Sequence, residues 1–219
     1  MKPNFIAMNK SKHIEANVKK WDKWAPEADG KGWTYNYLRK AQASLISILD
    51  LKENINFLDI GCGTGWAIGQ VANLINDKGE FYGVDLSPKM IEKAKENFHD
   101  KNNFHFIEAN SESIPLDDNM FDIIICTNSF HHYLHPDKAM KEIHRLLKAS
   151  GKIYILDPTA DTLFIKLIDK IIKMLESAHV KMYSTEEFKE LMTNAGLNYL
   201  ESKTIHGEKV HIGISPLSR

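Results

Sequence analysis

The sequence predicts an α/β chain: a doubly wound, mostly parallel seven-stranded sheet with a C-terminal antiparallel hairpin and a helical cap. Three observations predict it. Short β-branched or aromatic runs alternate with stretches of helical spacing, a glycine cluster separates the first run from the helix after it, and the last two runs are joined by a tight polar turn. Repeated strand and helix in that order gives parallel strands with right-handed crossovers.

The chain begins with Ile14, Val18, Trp21 and Ala25 at helical spacing, followed by Trp24, Trp33, Tyr35 and Tyr37 around a glycine-containing loop. Aromatic stripes pack more often than they recognise ligands. The position of this segment before the first strand also suits a lid, with Tyr35 as its contact residue. Lys10, Lys12, Lys19, Lys20 and Lys23 read as a solvated face. The strands expected next are NFLDI (56–60), EFYGVDL (80–86), FHFIEA (104–109), FDIIICT (121–127) and KIYILD (152–157). Helices are expected over Trp66–Ile75, over Pro88–Phe98 behind the N-cap Ser87, and over Pro136–Leu147 before Gly151. The Asn110–Asn119 connection, polar and containing Pro115, reads as a loop with room for one helical turn.

Beyond Asp157, a stripe of Leu163, Phe164, Leu167, Ile168, Ile171, Ile172 and Leu175 lies opposite Lys166, Lys170 and Lys173. This is an amphipathic helix expected to pack on the domain, with a membrane-surface or partner role as the other reading. A helix over Thr185–Asn194 stops at Gly196, and strands over Leu197–Thr204 and Lys209–Ile214 follow.

Composition narrows the function. The 219 residues, 43% hydrophobic, can bury one substantial core. Twenty-eight basic against 29 acidic residues give no field that would draw the chain to nucleic acid or anionic lipid. Cys62 and Cys126 are too few for a disulfide framework, so a reduced, cytoplasmic setting is expected. No apolar run reaches membrane-spanning length, and the N-terminus lacks a signal-peptide core.

The glycine cluster has the spacing Gly61, Gly63, Gly65. Strand, glycines and helix together aim backbone N–H groups at a ligand, with no Cβ in the way. A dinucleotide fingerprint would need a third glycine where this chain has Trp66, and no Gly-Lys-Ser/Thr follows, so pyrophosphate and Walker-type phosphate are both disfavoured. Asp85 ends the second strand, 20 positions after Gly65, where a carboxylate can accept two ribose hydroxyls. The expected ligand has a ribose and no pyrophosphate.

LDIGCGTG, VDLSPKM, the segment from Pro115 to Phe121-Asp122, and NSFHHYLHP resemble, in order, the motifs of the class I S-adenosylmethionine-dependent methyltransferases. The similar branch is that of small-molecule enzymes of the ubiquinone/menaquinone-biosynthesis type, with a Rossmann-like fold. The resemblance spans Asn56 to Pro158, and more loosely YSTEEFKELMTNAGL. It implies that Asp59, Gly61 and Gly63 surround the methionine part of the cofactor, with Gly65 needed for the turn. It also implies Asp85 on the ribose, and Leu86 and Met90 on the adenine. The family commonly has Gly-Asp-Ala where this chain has Ala109-Asn110-Ser111; the Asn110 carbonyl and Ser111 N–H keep the acceptor and donor toward the adenine without the charge. Asn128 would offer its carbonyl to the cofactor's amino group. The product would be S-adenosylhomocysteine.

For catalysis, His131 and His132 follow the fourth strand, where a base could remove the acceptor's proton; packing roles compete with that reading. No metal site is expected, because His131, His132, His135 and His144 come with no Cys and no Glu-x-x-His arrangement. One domain, 1–219, is expected: a helical lid (1–50), a cofactor-binding core (56–157), and the cap helix with the terminal strands (158–219). The acceptor is a small or medium-sized molecule of unspecified nucleophile. A non-catalytic cofactor-binding protein and an NAD-dependent oxidoreductase are the alternatives.

Overall fold

The computed structural model describes residues 5–28, 30 and 32–217, leaving out the side chains of residues 5–10 and 33. The side chains of Lys10 and Trp33 and the first four residues of the expected lid therefore lie outside the described residues. Helices α1 (Phe5–Trp24) and α2 (Trp33–Ile46) precede the alternating core of β1 (Ile55–Ile60), α3 (Trp66–Leu74), β2 (Gly79–Asp85), α4 (Pro88–Asn97), β3 (Phe104–Glu108), β4 (Phe121–Thr127), α5 (Pro136–Leu146) and β5 (Leu147–Asp157). Then come α6 (Leu163–Leu175), α7 (Thr185–Asn194), β6 (Asn198–Ile205) and β7 (Glu208–Ile214).

The seven strands lie in the order β3-β2-β1-β4-β5-β7-β6. β1 to β5 pair in parallel, while β7 runs antiparallel to both β5 and β6. The β6–β7 turn places His206 and Gly207 at φ 50° and 84°, both left-handed, as a two-residue hairpin requires.

Strand alternation builds the two cores. In β4, Ile123 and Ile125 face the layer of α2, α3 and α4, among Leu45, Ile68, Val71 and Ile91. Ile124 and Cys126 face the layer of α5 and α7, among Met140, Ile143, Phe188 and Met192. Because the strands are covered on both faces, they read as continuous apolar runs. Caps fix the helix starts: Ser87 Oγ accepts from Met90 N at 3.2 Å, and Ser184 with Glu187 forms a capping box on α7.

Three expectations change. β5 begins at Leu147, because α5 ends at Leu146 and the chain turns directly into the sheet, with a register shift against β4 between Phe121 and Ile123. The Asn110–Asn119 connection has no helical turn; an isolated Asn110–Ser113 bridge shapes it. The stripe of α6 is only partly packed on the domain. Leu163, Phe164, Leu167 and Leu175 are 58–86% exposed, Ile168 and Ile172 are half-buried, and no α6 residue is buried.

Candidate active site

The strand order reverses between β1 and β4, and in an open parallel sheet the carboxyl ends of strands at such a reversal form the ligand crevice. A cavity of about 210 Å³ opens there. Its base consists of the loop after β1 (Gly61 to Thr64), the end of β2 (Asp85, Leu86) and the end of β4 (Thr127 to Ser129). Its far wall comes from the N-terminal helices, through His13, Ile14, Asn17, Trp21 and Trp24 of α1 and Tyr35, Arg39 and Gln42 of the α2 region. Gln42 Nε2 donates to Thr127 Oγ1 at 2.9 Å, which seats α2 against the crevice.

The glycine loop is held by Gly61 N and Cys62 N donating to the Val84 carbonyl at 2.7 and 3.1 Å. Gly61, Gly63 and Gly65 all take left-handed φ values of 82°, 54° and 82°. Gly61 and Gly63 line the cavity, and Gly65 does not. A Cβ on Gly61 would meet Ser129 Oγ at 2.5 Å, and one on Gly65 would meet Phe98 and Phe106 at 2.9–3.0 Å. Close packing therefore explains Gly65, an open crevice explains Gly63, and Gly61 meets both demands.

Asp85 lines the cavity beneath the loop. Its Oδ2 accepts from Gly63 N and its Oδ1 from Ser87 N, each at 2.9 Å. Burial raises its pKa, and the backbone donors at Ser87, Gly63 and Leu86 oppose that shift. The loop N–H nearest the crevice is thus already turned to a carboxylate. A phosphate would have to displace that carboxylate and meet its charge, whereas hydroxyls can donate to its remaining lone pairs.

Asp59, next to last in β1, lies under this floor rather than on it. It is fully buried, and neither carboxylate oxygen has a hydrogen-bond partner. Burial, helped by the charge of Asp85, pushes its pKa up to about 8. At neutral pH the folded chain keeps this proton while the unfolded chain, with an Asp near its ordinary value, has lost it. Stability therefore falls as pH rises from about 4 toward about 8. Asp59→Asn removes that loss, so the variant's melting temperature should exceed wild type most at pH 8 and converge with it near pH 4. A pH-independent difference in thermal melts would show that Asp59 does not carry the buried proton.

Leu86, Met90, Asn110, Ser111, Asn128 and Tyr35 also line the cavity. Asn110 Oδ1 is turned inward to accept from Glu112 N at 2.9 Å, leaving one lone pair toward a ligand. Asn128 stands at φ 50°, and its side-chain amide neighbours the Glu208 carboxylate, whose pKa it lowers against the rise from burial. An open glycine in the floor and a buried, unpartnered carboxylate just beneath it fit a ligand that carries an amino group.

The two adjacent histidines diverge. His132 lines the cavity and His131 does not. His132 Nδ1 lies 2.8 Å from the Ala178 carbonyl, to which it donates. Burial first, then neighbouring His131, pushes its pKa down to about 2. His131 is gripped twice by buried Asp157, through its backbone N and its Nδ1, each at 3.0 Å. Burial would lower its pKa, but the Asp157 carboxylate outweighs that and raises it. The cap does not reach the cavity: no residue of α6 lines it.

The sequence reading did not single out Arg39, Gln42, Trp66, Thr127, Ser129 or Tyr133 as site residues, though all six line the cavity. Ser129 Oγ donates to the Ile60 carbonyl at 3.1 Å and contacts Tyr133 Oη at 3.0 Å, tying the segment after β4 to the end of β1. The helical spacing of Leu38, Ala41, Gln42 and Leu45 was the available signal for α2.

The family model of the methyltransferase domain matches residues 51–196. The chain belongs to this methyltransferase domain family. The resemblance drawn from the motifs, to S-adenosylmethionine-dependent enzymes of the ubiquinone/menaquinone type, is borne out. This methyltransferase domain is 30% identical over 115 residues to the ubiquinone/menaquinone biosynthesis C-methyltransferase of Shewanella baltica, covering 51% of this chain and 46% of that protein. It is 29% identical over 170 residues to a demethylmenaquinone methyltransferase of Staphylococcus epidermidis, covering 74% and 69%. The match thus spans about half the length of the first of these relatives. The fold is shared with a chain in the solved complex of the Haloferax volcanii Trm112 methyltransferase activator with a protein assigned as a methyltransferase. That comparison has a TM-score of 0.80 at 19% identity, covering 91% of this chain and 97% of that one. Among the described residues, no helix of the methyltransferase domain is long and apolar enough to cross a membrane.

Proposed function

We propose that the protein binds S-adenosylmethionine at the β1/β4 crevice and transfers its methyl group to a small or medium-sized, partly apolar acceptor held under the N-terminal helices. The observation that carries this reading is the crevice itself. Its floor combines the open Gly63 with the Asp85 carboxylate, and its far wall is aromatic.

Asp85 accepts the ribose hydroxyls on the lone pairs left by Gly63 and Ser87. Leu86 and Met90 pack on the adenine, while Asn110 and the Ser111 N–H meet its polar edge. Gly61, Gly63 and Asn128 would surround the methionine end, and Asp59 beneath the floor would face its ammonium. Gly65 serves the turn. When bound, the cofactor supplies an activated methyl on a sulfonium.

The protein's own contribution is positioning and exclusion of water. Trp21, whose ring meets His132 edge-on at 5.4 Å, and Trp24, which meets Tyr35 at 5.7 Å, form a wall suited to a flat apolar acceptor. His132, held neutral, is a poor proton acceptor near pH 7, and His131 is turned to Asp157, so neither is given a proton-transfer role here. Residues 1–50 act as the lid and 56–157 as the cofactor-binding core. The names of the relatives favour a quinol-type ring over a macromolecular acceptor, and the near-neutral charge balance supports the same choice.

The test incubates the purified protein with a metabolite and lipid extract and S-adenosylmethionine labelled in its methyl group. A labelled apolar small molecule, detected by mass spectrometry, is expected. Label appearing only on protein or nucleic acid would refute the acceptor assignment.

A further inference from the structure

We propose that His131, His132 and His179 form a binding site for one divalent transition-metal ion of the zinc class, beside the acceptor cavity. One ligand nitrogen from each of the three imidazoles lies within 4.8 Å of the others. The ring centroids are 4.0 Å apart for His131–His132, 5.4 Å for His131–His179 and 6.2 Å for His132–His179. A tetrahedral zinc with Zn–N near 2.0–2.1 Å needs nitrogens roughly 3.4 Å apart, so modest ring rotations close the site.

Further support is that one nitrogen of each ring is held by an oxygen. His131 Nδ1 is held by the Asp157 carboxylate at 3.0 Å. His132 Nδ1 is held by the Ala178 carbonyl at 2.8 Å. His179 Nε2 is held by the Asp169 carboxylate at 2.7 Å. Each ring therefore spends one nitrogen as a donor to an oxygen and keeps the other as an acceptor with no hydrogen-bond partner among the described residues. Metal-ligating histidines are fixed in tautomer and orientation by this arrangement. His132 and His179 are buried and His131 is half-buried.

The backbone supports the cluster from outside. Val180 N and Lys181 N both donate to the His131 carbonyl, at 3.0 and 3.2 Å. Asn17 Nδ2 donates to the Ala178 carbonyl at 3.5 Å, and His13 Nε2 lies 2.9 Å from the His132 carbonyl. The charge balance favours a cation, since Asp157 and Asp169 stand directly behind two of the rings. The nearby Lys20 ammonium is paired with Glu176. Three neutral nitrogen donors with no thiolate suit zinc, copper, nickel or ferrous iron rather than magnesium or calcium.

Three protein ligands leave a fourth position for water or an exogenous oxygen. His132 borders the cavity, so the site adjoins the acceptor side. An acceptor carrying an ionisable hydroxyl could occupy it.

The experiment treats the full-length protein with a chelator, removes the chelator, and titrates it with Co²⁺ and Zn²⁺ in the absence of S-adenosylmethionine, so the result does not depend on the methyl-transfer reading. The expected result is one tight equivalent, an intense visible cobalt spectrum of tetrahedral type displaced by Zn²⁺, and loss of that spectrum in His179→Gln. No stoichiometric binding, or an unchanged spectrum in folded His179→Gln, would overturn the proposal. If His179→Gln does not fold, X-ray absorption of the zinc-loaded wild type decides. A first shell with three imidazoles supports the site, and any shell with fewer overturns it.

Discussion

Asp85→Ala should lower the affinity for S-adenosylmethionine at least tenfold while leaving the protein folded. Each hydrogen bond from a ribose hydroxyl to a charged group is worth roughly 1.5–3 kcal/mol when one partner is removed, and about 1.4 kcal/mol is a factor of ten. The variant also frees Gly63 N and Ser87 N, each held by Asp85 at 2.9 Å, so the loop loses its anchor along with the ligand's acceptor. Asp85→Asn should not rescue binding, because its amide would turn a donor toward one of those N–H groups. Isothermal calorimetry reads the affinity and circular dichroism the fold. Unchanged affinity in a folded Asp85→Ala protein would place the ribose elsewhere.

A paired substitution in the glycine loop separates ligand space from packing. In Gly63→Ala the new Cβ meets nothing nearer than Met90 Sδ at 4.0 Å, so the fold bears only the left-handed φ of 54°, a cost of roughly 1–2 kcal/mol. The methyl group stands at the cavity surface, and cofactor affinity should fall tenfold or more with a small drop in melting temperature. In Gly65→Ala the Cβ comes within 2.9 Å of Phe98 and 3.0 Å of Phe106 at φ 82°, adding overpacking of roughly 1–3 kcal/mol. The melting temperature should fall further there than in Gly63→Ala. Equal effects of the two substitutions on both readouts would contradict the assignment of Gly63 to the ligand and Gly65 to the fold.

Much of this arrangement was legible in the chain. The alternation of strand and helix, the three glycines and the strand-end Asp85 are local signals, because strand burial, positive φ and the end of a strand each restrict residue type at one position. What stayed hidden depends on distant contacts. The amphipathic stripe of α6 reports that one face is apolar and says nothing of what lies against it, and in the structure most of that face is exposed. His179 sits 47 residues beyond His132, and only the fold of the segment after α6 brings it to the other two rings. The environments of His131 and His132 likewise depend on Asp157 and Ala178, which no spacing within HHYLH reveals. Asp59 was placed at the methionine end by motif, while its burial without partners is a property of the sheet.

The central claim is that the crevice takes a ribose-bearing sulfonium ligand and not a pyrophosphate one. Calorimetry of the purified protein with S-adenosylmethionine, S-adenosylhomocysteine and NAD in parallel tests it most directly. The account predicts binding of the first two at a single site, with a rise in melting temperature that grows with ligand concentration by mass action, and no heat with NAD. Binding of NAD with neither of the others would contradict it.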